Sequence, residues 1–508
     1  MKKFNHKKSS PSEHHFFIWR KKYLPEILGL ILFAILLLLP SFISLEWQSL
    51  WQGAKVGYGL MFRYFLSGNP PPYFLEETPK PLVAFFYYFL PPQLIYLLLV
   101  FLASLGFVYF VKMTKLISSS FLPGILAYFY CLLLFEDAYL NLVGCYWLWL
   151  YIPLALIAFY YFFAKDFYQY SIYLTLSGLI RPDSWFLALI ILIYARYKKF
   201  PKRPILLIPF LAPLLWLVFD ARAFRNPFYS FIITARYPII TGLPVANFFQ
   251  FFPTVIKDLS QMTDFWFLFF SLIGAFITLF LYQKKLNRQR VAERDNYHLL
   301  FLIAFAPFLF YLLLSLRGGV LVMRRFFLLS LIFFAFYAFN LPNFFFPRPF
   351  YKRILPLLIF ILLFFLNFSL ERMKRNYAIL QDGAIKIKTI EGSLEKINTL
   401  TDSLRQAHRL PKWLIVPYRR KSVFEFYLPI YQNKIESFRE IVALRKELKE
   451  YAPSLVYFLR EDFAGLEHAF DFLHTGKPYH LTQEGISFTP LFSQPRYIIY
   501  LLDTINQN

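Results

Sequence analysis

Apolar residues fill long, nearly unbroken stretches from about Leu24 to Ser369, and from Leu370 to Asn508 they fall into short periodic groups separated by polar residues. A helix needs roughly 20 apolar residues to cross the hydrocarbon core of a bilayer. By that criterion the first region holds about eleven hydrophobic segments. They are Pro25 to Leu45, Gln93 to Val111, Ser119 to Phe135, Leu142 to Phe163, Tyr170 to Ile180, Ser184 to Tyr194, Pro204 to Phe219, Phe265 to Tyr282, Leu299 to Leu316, Phe326 to Leu341 and Ile354 to Ser369. The two on either side of Arg181-Pro182 are too short to span alone and suit a re-entrant pair, because proline lets a helix break where its freed main-chain groups face a cavity. The pattern predicts a polytopic α-helical membrane protein, and no cleavage site follows the first apolar run, so that run is expected to be a retained helix.

After Leu370 the periodicity changes. Ile387, Ile390, Leu394 and Ile397 lie on one helical face. A strand is predicted at Trp413 to Val416, then an amphipathic helix carrying Phe438, Ile441, Val442 and Leu448, a strand at Ser454 to Leu459, a helix at Gly465 to Leu473 and a strand at Arg496 to Leu502. Helices alternating with strands predict a small α/β domain. The expected division is a basic tail over 1–24, a transmembrane domain over 25–369 and an α/β domain over 370–508.

Charge orients the segments, since short loops rich in Lys and Arg stay in the cytoplasm. Lys2, Lys3, Lys7, Lys8, Arg20, Lys21 and Lys22 precede the first segment, and counting onward the same side receives Lys112 and Lys115, then Lys198 with Arg203, then Lys284 to Arg294, then Arg348 with Arg353. The N-terminus is therefore expected inside and the C-terminal domain outside a cytoplasmic membrane. Large outer loops follow at 46–92 and 220–264, the first carrying an apolar stretch, Pro81 to Leu90, of the kind that lies in the interface. The net charge of +24 is largely that of the cytoplasmic loops, where topology and anionic lipid explain it without nucleic acid. Only two cysteines occur, Cys131 and Cys145, so there is no disulfide framework. His14-His15 in a basic tail is a poor metal site, no other cluster has ligand spacing, and metal dependence is left open.

Three features fall in the outer half. Glu46 follows the first crossing and reads either as a general base for an acceptor hydroxyl or as an interfacial acid at a helix end. Lys80 lies between Pro79 and Pro81, which fix its direction, and reads either as a point charge for a lipid phosphate or as a head-group contact. Arg181-Pro182-Asp183 joins the two short segments at a depth where charges face a cavity or a partner. Arg317, Arg324 and Arg325 cap a later outer loop.

A basic cytoplasmic N-terminus, an acid after the first crossing, a Lys-Pro in the first outer loop, an Arg-Pro-acid turn between short helices and an outer C-terminal domain together resemble the GT-C membrane glycosyltransferases, with the closest likeness to bacterial relatives of protein O-mannosyltransferases and aminoarabinose transferases. The likeness covers most of residues 20 to 340 and includes Leu215 to Asp220 with Asn226-Pro227 and Ser230, and Arg324-Arg325-Phe326. It implies inverting transfer of a sugar from a polyprenyl phosphate carrier to a hydroxyl on a glycan, lipid or protein acceptor. Glu46 takes the place of the base, and Lys80, Arg181 and one of Arg317 or Arg324 that of charges stabilising the departing lipid phosphate, with Asp183 orienting Arg181. The family usually has Asp at the base position, often with a second acid beside it, and Glu at the position of Asp183. Glu77 and Asp137 are the substitutes for Glu46. Outside the resemblance, a lipid or solute transporter and a non-catalytic membrane scaffold also accommodate a basic polytopic chain.

Overall fold

Long runs of Leu, Phe and Ile are good helix formers when their apolar faces can be buried, and helices dominate the computed structural model of the chain. The structure describes residues 11–42, 58–69, 78–134, 146–200, 203–234, 246–262, 265–281, 291–316, 324–345, 349–367, 370–416, 447–459, 475–481 and 485–505, with positions 142, 424, 428–431 and 434–436. Among these residues three helices are long and apolar enough to cross a membrane, Gln93–Ser118, Pro204–Phe224 and Asp295–Ser315. Shorter apolar helices occupy Tyr23–Leu38, Leu122–Leu133, Leu148–Phe163, Trp266–Phe280 and Leu328–Asn340. The first helix runs from Pro11 to Phe42, so part of the basic tail is helical and continuous with the apolar run.

The chain divides into two compact units. One gathers Met1–Ser44, Gln93–Trp216 and Pro238–Tyr377, and the other Leu45–Pro92, Leu217–Tyr237 and Ala378–Asn508.

In the first unit helix Leu328–Asn340 is buried on every side, packed by helices Leu122–Leu134, Phe265–Phe276, Val291–Ser315 and Pro349–Asn367. A helix that is apolar all round belongs at the centre of a bundle. Glycines let helices approach closely: a methyl group added at Gly274 would overlap the main-chain carbonyl of Tyr337 in this central helix, and elsewhere in the unit one at Gly106 would stand 2.9 Å from Pro153 Cα. Because backbone cannot rotate out of the way as a side chain does, Gly274→Ala should destabilise the protein by about 1–3 kcal/mol. Unfolding in mixed micelles would check it, and an unchanged midpoint would show that the two helices can separate without penalty. Large apolar side chains also face outward in this unit, among them Leu30, Leu38, Leu214, Leu272, Phe280 and Phe365.

Helices Asp183–Tyr197 and Val291–Ser315 run antiparallel and are tied at both ends. Lys198 Nζ pairs with Asp295 Oδ2 at 2.7 Å at one end, and Arg181 Nη2 meets the Tyr311 hydroxyl at 2.8 Å at the other. At 1.5 Å per residue the two ties lie about 22–24 Å apart. Helices Phe167–Gly178 and Asp183–Tyr197 form a hairpin whose tip is the Arg181 turn.

The second unit ends in a mixed six-stranded sheet in the order β2-β1-β3-β6-β5-β4, built from β1 (Trp413–Ile415), β2 (Ile435–Glu436), β3 (Ser454–Leu459), β4 (Tyr479–Leu481), β5 (Ile486–Ser493) and β6 (Tyr497–Thr504). The β1 strand pairs in parallel with β2 and β3, and the β3, β6, β5 and β4 ladders are antiparallel. All six residues of β3 are buried, as expected for a central strand rich in apolar residues. Helix Leu370–Gln406 buries Ile390, Ser393, Ile397 and Thr401, spaced for one face. Thr401 Oγ1 gives its one proton to Ile397 O, so the 2.8 Å contact with Tyr431 has the tyrosine as donor. Burial pushes the Tyr431 hydroxyl up to about 12, which keeps that donor protonated. The expected helices around Phe438 and at Gly465 to Leu473 lie outside the described residues, and Leu448 opens a short 3-10 turn, Leu448–Tyr451.

Candidate functional site

Arg181 sits at the tip of the hairpin, between the end of one helix at Gly178 and the start of the next at Asp183. Pro182 lacks an N–H and disfavours a helical Arg181 before it. The first helix therefore closes on Leu179, with its N–H on Thr175 O, and the second starts at Asp183. Ser177 and Ser184 hydroxyls bridge the turn at 2.8 Å, and Trp185 Nε1 donates to Gly178 O at 3.0 Å. Gly178 has room for no side chain, since an added Cβ would stand 2.8 Å from Ala212 Cβ.

The turn aims Arg181 into the bundle, where it is 2% exposed. Its Nε donates to Asp183 Oδ1 at 3.0 Å and its Nη2 lies 2.9 Å from Oδ2, a two-pronged pair that uses the planar fork of guanidinium. The Tyr151 hydroxyl donates to Asp183 Oδ2 at 3.1 Å, and Arg181 Nη2 donates to Tyr311 Oη. The guanidinium carbon lies 4.7 Å from the ring centre of Tyr151, 5.2 Å from Phe326 and 5.6 Å from Trp147. Nη1, with its two N–H groups, has no acceptor among the described residues. Leaving such donors buried costs on the order of 1–3 kcal/mol unless a ligand or water accepts them.

In the other unit Lys80 precedes helix Pro81–Phe89 in extended conformation and is 7% exposed. Its ammonium donates to Thr78 O at 2.9 Å and stands 5.3 Å from the Tyr58 ring centre. Thr78 Oγ1 is 3.1 Å from Thr234 Oγ1, and because Thr234 gives its own proton to Ser230 O, Thr78 is the donor. Ser230 in turn gives both its N–H, at 2.8 Å, and its hydroxyl, at 2.9 Å, to the fully buried Asp220. Asp220 therefore caps the helical turn over 229–234, the arrangement in which a carboxylate satisfies open N–H groups at a helix start. Phe224 and Tyr229 stack at 4.0 Å across the same turn. A hydrogen-bonded chain thus runs from Lys80 through Thr78, Thr234 and Ser230 to Asp220.

Of the residues singled out in the sequence, Arg181 and Asp183 come together as a direct pair, and Lys80 is held in its proline-flanked turn. Glu46, Glu77, Asp137 and Arg317 lie outside the described residues, and Arg324 is described only as the start of the 3-10 turn Arg324–Phe327. Sequence reasoning missed Tyr151, Tyr311, Thr78 and Thr234. The signal for Tyr151 was its spacing of four from Trp147, which puts two polar-tipped aromatics on one helical face; Tyr311 offered none beyond being a hydroxyl in an apolar run. No protein-family model matches the chain, and no curated protein is significantly similar to it.

Proposed function

We propose that this chain is an integral membrane glycosyltransferase that moves a sugar from a polyprenyl phosphate carrier to an acceptor hydroxyl on the outer face of the cytoplasmic membrane. The observation that carries the reading is the buried Arg181 guanidinium, which keeps two N–H donors at Nη1 without an acceptor among the described residues and so is prepared for an oxygen of a bound substrate. Lys80 adds the second argument: a nearly buried ammonium, braced by Thr78 and the Tyr58 face, is a compact charge suited to a phosphate. In this reading Glu46 takes the proton from the attacking hydroxyl, and the phosphate leaves as its growing charge is stabilised by preset positive charge, the kind of electrostatic contribution that usually dominates.

Support for the membrane setting comes from the three span-length helices and from the apolar side chains left facing outward, a surface water would not tolerate. Support for the topology comes from two ion pairs. Lys112 meets Glu26 at 2.7 Å and Lys198 meets Asp295 at 2.7 Å, so residues expected on the cytoplasmic side meet each other pairwise.

Two measurements test the reading. In a background without Cys131 and Cys145, Ser403→Cys on the exposed side of helix Leu370–Gln406 should react with a membrane-impermeant maleimide in intact cells; protection until the cells are broken would reverse the topology. In proteoliposomes supplied with a radiolabelled polyprenyl phosphate sugar and a deacylated envelope extract, label should pass from the lipid to the extract. Label that stays in the lipid, or lipid that crosses the bilayer intact, would replace the transferase reading with a scaffold or a transporter.

A further inference from the structure

Helix Phe248–Met262 divides its surface into three sectors, and one of its two apolar sectors is left outside the protein. Asn247 starts the helix by taking the Gln250 N–H on its Oδ1 at 2.9 Å, while Gln250 Oε1 reaches back to the Asn247 N–H at 3.4 Å. This reciprocal cap fixes where the helix begins. Phe251, Val255 and Leu259, spaced by four, are buried, and the helix packs against helix Val291–Ser315 and the 3-10 turn Arg324–Phe327. Phe248, Phe252 and Ile256 form the neighbouring stripe, turned from the buried one by about 100°. They are exposed, and Phe249 beside them is 86% exposed. Gln250 and Lys257, seven positions apart and so on one face, are exposed on the far side.

A surface helix bathed only in water has one apolar stripe, against the core, and polar residues elsewhere. This one adds a second apolar stripe between the buried sector and the polar one. With 15 residues it is about 22 Å long, too short to cross a hydrocarbon core of about 30 Å. Protein on one flank, an apolar medium on the next and water on the third is the division expected of a helix lying in the plane of a membrane interface. The following helix, Phe265–Phe276, supplies a depth marker. It opens with exposed Trp266 and continues outward with Phe269, Leu272 and Phe276, and tryptophan gathers at the boundary between head groups and acyl chains. Helix Phe248–Met262 therefore ends, in the chain, close to where the next segment meets that boundary.

We propose that helix Phe248–Met262 is an in-plane membrane anchor, with Phe249, Phe252 and Ile256 among the acyl chains just below the head groups and with Gln250 and Lys257 toward water. The turn Arg324–Phe327, against which the helix packs, carries Phe326, whose ring centre lies 5.2 Å from the Arg181 guanidinium. The anchor thus holds one wall of the Arg181 site at a fixed depth near the interface. The proposal rests on the membrane setting and not on sugar transfer. The test uses the full chain without Cys131 and Cys145 in phosphatidylcholine proteoliposomes, with a nitroxide label placed singly by Phe249→Cys, Gln250→Cys, Phe252→Cys, Ile256→Cys or Lys257→Cys. All five positions are exposed, so the label displaces no packing. Oxygen, which concentrates among acyl chains, should reach the labels at 249, 252 and 256 several-fold better, relative to a water-soluble nickel chelate, than it reaches those at 250 and 257.

Nickel chelate reaching position 249 as readily as position 257 would place the helix in water and overturn the proposal. Exclusion of both reagents from 249, 252 and 256 would overturn it as well, because protein rather than lipid would then cover the stripe; spin–spin broadening that fades on dilution with unlabelled protein would identify that cover as a second copy of the chain. Equal lipid exposure at all five positions would make the segment part of a crossing and not an in-plane helix, which also overturns it. Failure here with lipid-to-extract transfer intact leaves the transferase reading standing, and a lipid-facing stripe in a protein that transfers nothing leaves the anchor standing without the transferase.

Discussion

Arg181→Ala should cost the protein about 3–5 kcal/mol of stability, the largest loss expected of any single substitution in the helical unit. The reason is asymmetry. Asp183 is 1% exposed, and its two oxygens are occupied by Nε and Nη2 of Arg181, with Tyr151 as the one other side-chain donor among the described residues. Removing the guanidinium strands a carboxylate in a dry interior and also leaves the Tyr311 hydroxyl without the N–H it receives. Replacing both partners with apolar residues of similar volume, Arg181→Met with Asp183→Leu, removes both charges together and should cost much less than either single change. Arg181→Lys should lie between, because an ammonium keeps the charge and loses the two-pronged geometry. Unfolding of the purified proteins in mixed micelles measures each of these changes. A loss under about 1 kcal/mol for Arg181→Ala would mean that water reaches Asp183, and the buried pair would no longer be what joins the hairpin tip to helix Val291–Ser315.

That prediction depends on partners the sequence did not reveal. The Arg-Pro-Asp turn was legible because proline lets a helix break and charges inside an apolar run need a reason. Tyr311 was not, since it is 130 positions from Arg181 and becomes its partner only when two helices pack antiparallel. The Thr78 to Thr234 contact spans 156 positions and faces the same obstacle. Local pattern carries no information about which distant hydroxyl fills a given lone pair. Asp220 is intermediate: an acid at the end of an apolar segment was visible, but its partner Ser230, ten residues on, became an acceptor's donor only through the turn at Arg225 to Phe228.

The fold divides along similar lines. Apolar stretches near Gln93, Pro204 and Leu299 were legible as helices because spanning length is a property of one segment, and β3 and β6 were legible as dense runs such as Ser454–Leu459. The β5 strand was not. Pro490 sits inside it, and a proline normally argues against a strand interior. The structure accommodates it at a shift in the β5–β6 register between Pro490 and Phe492, where the ladder is already interrupted. The second compact unit was also hidden, because it joins Leu45–Pro92 and Leu217–Tyr237 to the C-terminal residues and no composition change marks segments so far apart as one body.

Glu46→Gln and Lys80→Ala should fail in different ways, and that difference is the sharpest test of the chemistry. Glutamine keeps the size and polarity of Glu46 but cannot take a proton, so transfer should fall by roughly 10²-fold or more while donor binding is unchanged. On the proposed reading Lys80 faces a phosphate that is charged both before and during bond breaking, so Lys80→Ala should weaken donor binding as well as turnover. Lys80→Arg should recover part of the binding, since charge returns with a different shape. The bracing chain gives a graded control: Thr234→Val removes the acceptor of the Thr78 hydroxyl without touching Lys80, and should lower turnover less than Lys80→Ala does. The measurements are initial rates and donor binding in proteoliposomes with a radiolabelled polyprenyl phosphate sugar. Near-normal turnover in Glu46→Gln would remove Glu46 from the role of base and move it to Glu77 or Asp137. A Lys80→Ala protein that binds donor as the parent does, yet turns over slowly, would place the lysine at the transition state alone and detach it from recognition of the lipid phosphate.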